Sequence, residues 1–241
     1  MSPKQQRLGC AAMLLLVAAP AIAGISADAT RIIFQASDVP RGKSIGLTSS
    51  ATSLSPYLVK TQVTRDMRGQ PAQVPFVTTP SLFRLEPGTT NQIRLMKTPD
   101  DLPRDRESLF YFRAVAMPAG PADALSSRPA VSGALQVATA TVIKLFYRPE
   151  GLAMQQPEAM GKLLFSADKQ GLKVTNPTPY YITLHSLRVG NTPVKLRVDD
   201  NSSMIAPYAS TGYHHAPRAG AVEWTAINDY GGTEVFHGSV Q

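Results

Sequence analysis

From Gly24 onward, apolar and polar residues alternate in short runs that Pro, Gly and Asn interrupt, and no stretch keeps the repeat of an amphipathic helix. Between Thr30 and Arg148 the runs TRIIFQA, SIGLTSS, YLVKTQVTRD, PFVTTP, SLFRLEP, NQIRLMKT, ESLFYFRAVAM and GALQVATATVIKLFYR predict strands. Seven or eight strands in about 125 residues is the density of an immunoglobulin-like β-sandwich. A weakly patterned stretch, RPEGLAMQQPEAMG, follows. Beyond it a second series (KLLFSAD, GLKVTN, YYITLHSLRV, PVKLRV, SSMIAP, AVEWTAIND and EVFHGSV) predicts a second, smaller sandwich. The fold class is therefore all-β, with a boundary between Arg148 and Met154 and domains over 24–149 and 150–241. The segment from Pro118 to Gly133, rich in Pro, Ala, Gly and Ser, separates two strong runs. It reads either as a tolerated surface insertion or as a strand extension that orders against a partner.

The first residues change the picture of where these domains work. Lys4 and Arg7 precede an apolar run from Ala11 to Ala19, and Ala21-Ile22-Ala23 supplies a small-x-small cleavage site before Gly24. This is the pattern of a secretory signal peptide over residues 1–23. The run is shorter than the roughly 20 residues that span a bilayer. Cys10 lies before the apolar run rather than at the cleavage point, which argues against a lipoprotein signal, and removing the leader leaves no cysteine. A disulfide scaffold is thereby excluded, and apolar cores must hold the exported chain. The 24 basic and 17 acidic residues give +7, which falls to +5 once Lys4 and Arg7 are lost. The basic residues are scattered through strands rather than clustered with aromatics, so nucleic acid is not an expected partner.

Several motifs suggest catalysis and lack its context. Gly42 to Gly46, GKSIG, has the spacing of a nucleophile elbow, but that elbow needs a strand turning into a helix, whereas Ser44 is followed by strand and turn residues. SADK at Ser166 to Lys169 reads as a hairpin turn. His185, His214, His215 and His237 have no spacing that brings three ligands to one face, so no metal is expected. With no phosphate-binding glycine loop either, neither a cofactor nor a small-molecule substrate is expected, and the chain does not read as an enzyme.

One strand carries a chemical question instead. In TVIKLFYRPEG, Thr141 to Gly151, Lys144 sits among Ile143, Leu145, Phe146 and Tyr147, and Arg148 closes the run. Cations on an apolar strand need partners, either within the chain or on another molecule.

TVIKLFYRPEG, FRLEPGTTNQIRLM, LPRDRESLFYFR, NPTPYYITL and AINDYGG together, in this order from Ala29 to Gly232, resemble the PapD-like periplasmic chaperones of the chaperone-usher pilus pathway. The resemblance implies two immunoglobulin-like domains in a boomerang arrangement with a cleft between them. It implies a periplasmic chaperone that binds, folds and caps pilus subunits by donor-strand complementation and delivers them to an outer-membrane usher. By the same resemblance, Arg31 and Lys144 anchor the C-terminal carboxylate of the subunit, with Thr30 as a supporting hydroxyl. Arg148 joins Glu107 and Asp229 in an interdomain salt-bridge network. The donor strand offers Leu135, Val137 and Thr139 on one face, where Thr139 stands in place of the usual large aliphatic; an earlier start would use Val131. The preceding loop is longer than in short-loop members and lacks the cysteine pair of long-loop ones. Self-association of free molecules through the same strand stays open. The alternative reading is a secreted two-domain β-sandwich adhesin or surface structural protein, which needs neither the cation pair nor an aliphatic donor strand.

Overall fold

The computed structural model describes residues 24–119, 137–198 and 202–241. The signal-peptide residues 1–23, Val131 and Leu135 lie outside the described residues, as does most of the segment from Pro118 to Gly133.

The N-terminal half contains β1 (Ile25–Ala27), β2 (Arg31–Gln35), β3 (Lys43–Ser49), β4 (Tyr57–Thr64), β5 (Phe76–Thr79), β6 (Leu82–Leu85), β7 (Thr90–Lys97), β8 (Ser108–Pro118) and β9 (Thr139–Arg148). One sheet has the order β1-β3-β7-β5, and the facing sheet the order β2-β9-β8-β4-β6. Alternation does what period 2 requires. In β4, Tyr57, Val59, Thr61 and Val63 turn inward while Leu58 and Lys60 turn outward. Between the sheets, the Phe76 ring meets Phe34 and Phe110 edge-on at 5.3 and 5.2 Å, and Leu47, Ile93, Leu95 and Leu145 are fully buried around them.

After a short helix, α1 (Gln156–Met160), the second half contains β10 (Leu164–Asp168), β11 (Gly171–Thr175), β12 (Ile182–Val189), β13 (Thr192–Pro193), β14 (Met204–Ile205), β15 (Ser210–His214), β16 (Ala221–Ile227) and β17 (Thr233–Ser239). A three-stranded sheet, β10-β11-β15, faces a sheet ordered β13-β12-β16-β17, with β14 also on β12. Trp224 fills the centre. Its ring lies 4.8 Å from that of Phe165, and its Nε1 donates to Met160 O at 3.0 Å, which ties α1 to the core. Each half is an immunoglobulin-like sandwich with its own core. Among the described residues no helix is long and apolar enough to cross a membrane.

Some elements depart from the sequence reading. Of PVKLRV only Pro193 falls in a strand, as the last residue of β13, and the rest is a loop whose Val194 and Leu196 lie on the core. Loop burial thus produced the alternation of a strand. The opposite occurs in β15, STGYH, which pairs fully with β11 although Tyr213 is its one buried residue. GKSIG enters β3 directly, so Ser44 lies on a strand, and SADK turns the hairpin between β10 and β11.

Two features position the site. β2 pairs with β9 in parallel, in a register that sets Arg31 beside Lys144 and Gln35 beside Arg148. Because β2 begins opposite Lys144, the Thr139 to Ile143 half of β9 pairs only with β8, and among the described residues no strand pairs with its other edge, although β1 lies close by, with Ile25 O bonded by Thr141 Oγ1.

Candidate functional site

A cleft of about 560 Å³ lies between the two sandwiches, with Arg31, Lys144 and Tyr111 on one wall and Thr183, Leu184 and Ile227 on the other. Strand alternation puts Lys144 there, since Ile143 and Leu145 on either side of it enter the core. Arg31 Nη1 donates to Ile227 O at 3.0 Å across the cleft, and its guanidinium lies 6.0 Å from the centre of the Phe146 ring. Arg31 Nε is buried with no hydrogen-bond partner. Among the described residues no carboxylate pairs with Lys144. Burial, and then the charge of Arg31, push the Lys144 ammonium down to about 8. Burial also lowers Arg31, against the pull of Asp229 and Glu107. Two like charges side by side in a partly dry cleft are costly, and an anion between them removes that cost. The planar fork of Arg31 and the point charge of Lys144 suit a carboxylate.

The opposite wall adds a group that sequence reasoning missed. Thr183 lies on β12 between the buried residues Ile182 and Leu184, and its Oγ1 is buried without a partner. Its signal in the sequence was a lone hydroxyl inside the apolar run of NPTPYYITL. Thr30 is exposed beside Arg31 on the cleft wall. Gly231, at φ 85°, lies against it, where a Cβ would come within 2.8 Å of Thr30 Oγ1.

Arg148 is bonded within the chain. Its Nε donates to Glu107 Oε1 at 2.8 Å, while Nη1 and Nη2 grip Asp229 at 2.7 and 2.9 Å. Glu107 is 4% exposed and joins the halves twice more: Oε2 accepts the Tyr181 N–H, and its own N–H donates to Pro179 O, both at 2.9 Å. Burial pushes the Glu107 carboxyl up to about 7, against the opposing pull of Arg148 and the Tyr181 N–H. Burial pulls Arg148 down, but its hydrogen bonds to Asp229 and the charges of Glu107 and Asp229 outweigh burial and raise it. Asp229 is presented by a tight turn in which Asn228 Oδ1 accepts the N–H groups of Tyr230 and Gly232. On the far side of the seam, the Tyr180 hydroxyl donates to Met154 O at 2.7 Å, and the Arg148 guanidinium stacks 4.9 Å from the Tyr180 ring.

Of the donor-strand residues, Leu135 is outside the described residues, Val137 is 59% exposed, and Thr139 is the first residue of β9. By alternation, Thr139 and Thr141 share a face with the core residues Ile143 and Leu145, so this row runs outward from the sandwich toward Val137. Thr139 Oγ1 is buried without a partner among the described residues, and Thr141 Oγ1 donates to Ile25 O at 3.3 Å.

A family model described as "Pili and flagellar-assembly chaperone, PapD N-terminal domain" matches residues 24–153, and one described as "Pili assembly chaperone PapD, C-terminal domain" matches residues 158–237. The chain belongs to this family of pilus-assembly chaperones. Its members are binding proteins and not enzymes. Among relatives of these chaperones, the fimbrial chaperone YcbF of Escherichia coli is 36% identical over 230 residues, covering 92% of this chain and 90% of that one. Chaperone protein PapD of Escherichia coli is 32% identical over 235 residues, covering 96% and 93%. The crystal structure of the E. coli chaperone DraB superposes with a TM-score of 0.74 at 31% identity, over 91% of this chain and 97% of that one. A chain from the solved complex of the Salmonella enterica SafA pilin with the SafB chaperone gives 0.73 at 29% identity, over 91% and 98%.

Proposed function

We propose that this protein is a periplasmic chaperone that captures fimbrial subunits through the cleft and the open edge of β9 and hands them to an outer-membrane usher. Residues 1–23 act as its export signal, and 24–149 and 150–241 are its two working domains. The carrying observation is the pair of neighbouring cations, Arg31 and Lys144, with an unbonded Nε on one and, among the described residues, no carboxylate on the other. The subunit supplies the missing anion as its terminal carboxylate, with Thr30 and Thr183 as flanking hydroxyls. Its last strand then lies along β9 and takes the backbone groups of the unpaired edge. The row from Leu135 through Val137 to Thr139 fills the groove that an incomplete subunit sandwich exposes. Arg148, Glu107 and Asp229 keep the two halves at the separation this requires. A surface adhesin has no use for a half-buried cation pair without a partner anion.

The test is co-expression with candidate fimbrial subunits. Wild type should co-purify with a subunit from the periplasmic fraction. Lys144→Ala should lose it, because the bound carboxylate forfeits a charge-assisted hydrogen bond worth about 1.5–3 kcal/mol, while the empty protein stays folded. Equal recovery by the two proteins would refute the reading.

A further inference from the structure

The cleft and the domain seam share one residue. Arg31 lines the cleft together with Lys144, and it also lines a small cavity at the seam with Glu107, Arg148 and Asp229. Lys144, Arg31 and Arg148 therefore form one cluster with Glu107 and Asp229, three cations against two carboxylates. We propose that the cleft is a proton-linked anion site, in which occupation of the Arg31 and Lys144 pair by a carboxylate draws protons onto Lys144 and Glu107. This rests on the anchor reading above, and extends it from what is bound to the conditions under which binding is strong.

The charged and titratable neighbours of each group fix the direction. Glu107 is faced by Arg148 of β9, Asp229 of the turn before β17, Tyr180 and Tyr181 ahead of β12, and Arg31 of β2, with Arg106 next to it in the chain. Lys144 is faced by Arg31 on β2, with Tyr111 as its register partner on β8 and His185 of β12 on the opposite cleft wall. A carboxylate in the cleft adds negative potential to both groups, so each holds its proton more tightly in the complex than in the empty protein. Lys144, held at about 8 when the cleft is empty, returns toward its ordinary value when paired. Binding stabilised in this way is complete below the empty-state value and is lost as pH rises through and above it. Glu107, at about 7 in the empty protein, adds a second fall in affinity one unit lower. Each half of the linkage is reciprocal: the bound carboxylate favours the protons, and the protons favour the carboxylate.

The experiment is isothermal titration of the full mature chain with an N-acetylated strand peptide of alternating Val and Thr carrying a free α-carboxylate, and with its amide. Titrations run from pH 6 to 9, in buffers of low and high ionisation enthalpy. Lys144 alone makes affinity for the free acid fall roughly ten-fold between pH 7 and 9, with uptake of about half a proton at pH 8. Glu107→Gln keeps an acceptor for Arg148 and Tyr181 but cannot titrate, so it should flatten the profile below pH 8 and leave the Lys144 step. A merely structural Glu107 would instead lower affinity equally at every pH. If Glu107→Gln does not fold, proton uptake by wild type decides alone. Preference for the acid with no proton uptake and a flat profile would overturn the linkage and leave the anchor standing. No preference for the acid would overturn both.

Discussion

Arg148→Ala tests how much the domain seam contributes. The substitution removes three contacts of 2.7 to 2.9 Å and leaves Glu107, 4% exposed, with only the Tyr181 N–H. Asp229, whose side chain is 24% exposed, can turn to water. The loss therefore concentrates at Glu107, where removing one partner of a buried pair costs about 3–5 kcal/mol. Glu107 has one escape, which is to take up a proton. Its folded value already lies above that of an unfolded carboxyl and rises further without Arg148. A raised value contributes stability present below the unfolded pKa and lost as pH rises through the folded one. The penalty of Arg148→Ala should thus be smallest near pH 5 and grow toward pH 8. Urea unfolding of wild type and variant at both pH values measures it, and Arg148→Ala combined with Glu107→Gln should recover part of the loss. A penalty below about 1 kcal/mol at pH 8, the level of a surface ion pair, or one independent of pH, would refute the reasoning.

Two further outcomes follow from the cleft and the donor strand. Lys144→Met should stabilise the empty protein by about 1–3 kcal/mol at pH 7, because a charge held down by burial is replaced by a packed thioether. The folded lysine loses its proton before the unfolded one, so this advantage should shrink between about pH 8 and 10.5 in denaturation series. Val137→Glu should leave circular dichroism unchanged, since Val137 is 59% exposed, yet abolish subunit recovery by placing a charge in an apolar groove at a cost of several kcal/mol. Unfolding of that variant would mean that Val137 belongs to the core.

The sheets were legible in the sequence because alternation reports burial directly. β4 and β8 read as strands for the same reason that they face a core. The pattern failed where burial and hydrogen bonding part company. Val194 and Leu196 alternate in a loop, whereas β15 gains its ladder from β11 with hardly any apolar signal. The site was less accessible to pattern alone. Arg31 and Lys144 meet through a parallel register between distant segments, and no periodicity encodes which strands become neighbours. Motif resemblance drew attention to Arg31, Lys144, Arg148, Glu107 and Asp229. Thr183 was hidden because a threonine among Ile182 and Leu184 looks like an ordinary strand residue until its hydroxyl is found without a partner.

On the proposed function, the Arg31 and Lys144 pair receives the terminal carboxylate of a captured subunit. A crystal structure of the chaperone with a co-expressed subunit tests it most directly. In that structure the subunit's last carboxylate should lie within about 3 Å of both Lys144 Nζ and an Arg31 nitrogen, with the preceding residues paired along Thr139 to Ile143. A subunit bound elsewhere, or a terminus lying outside the cleft while Lys144 and Arg31 contact only water, would contradict it.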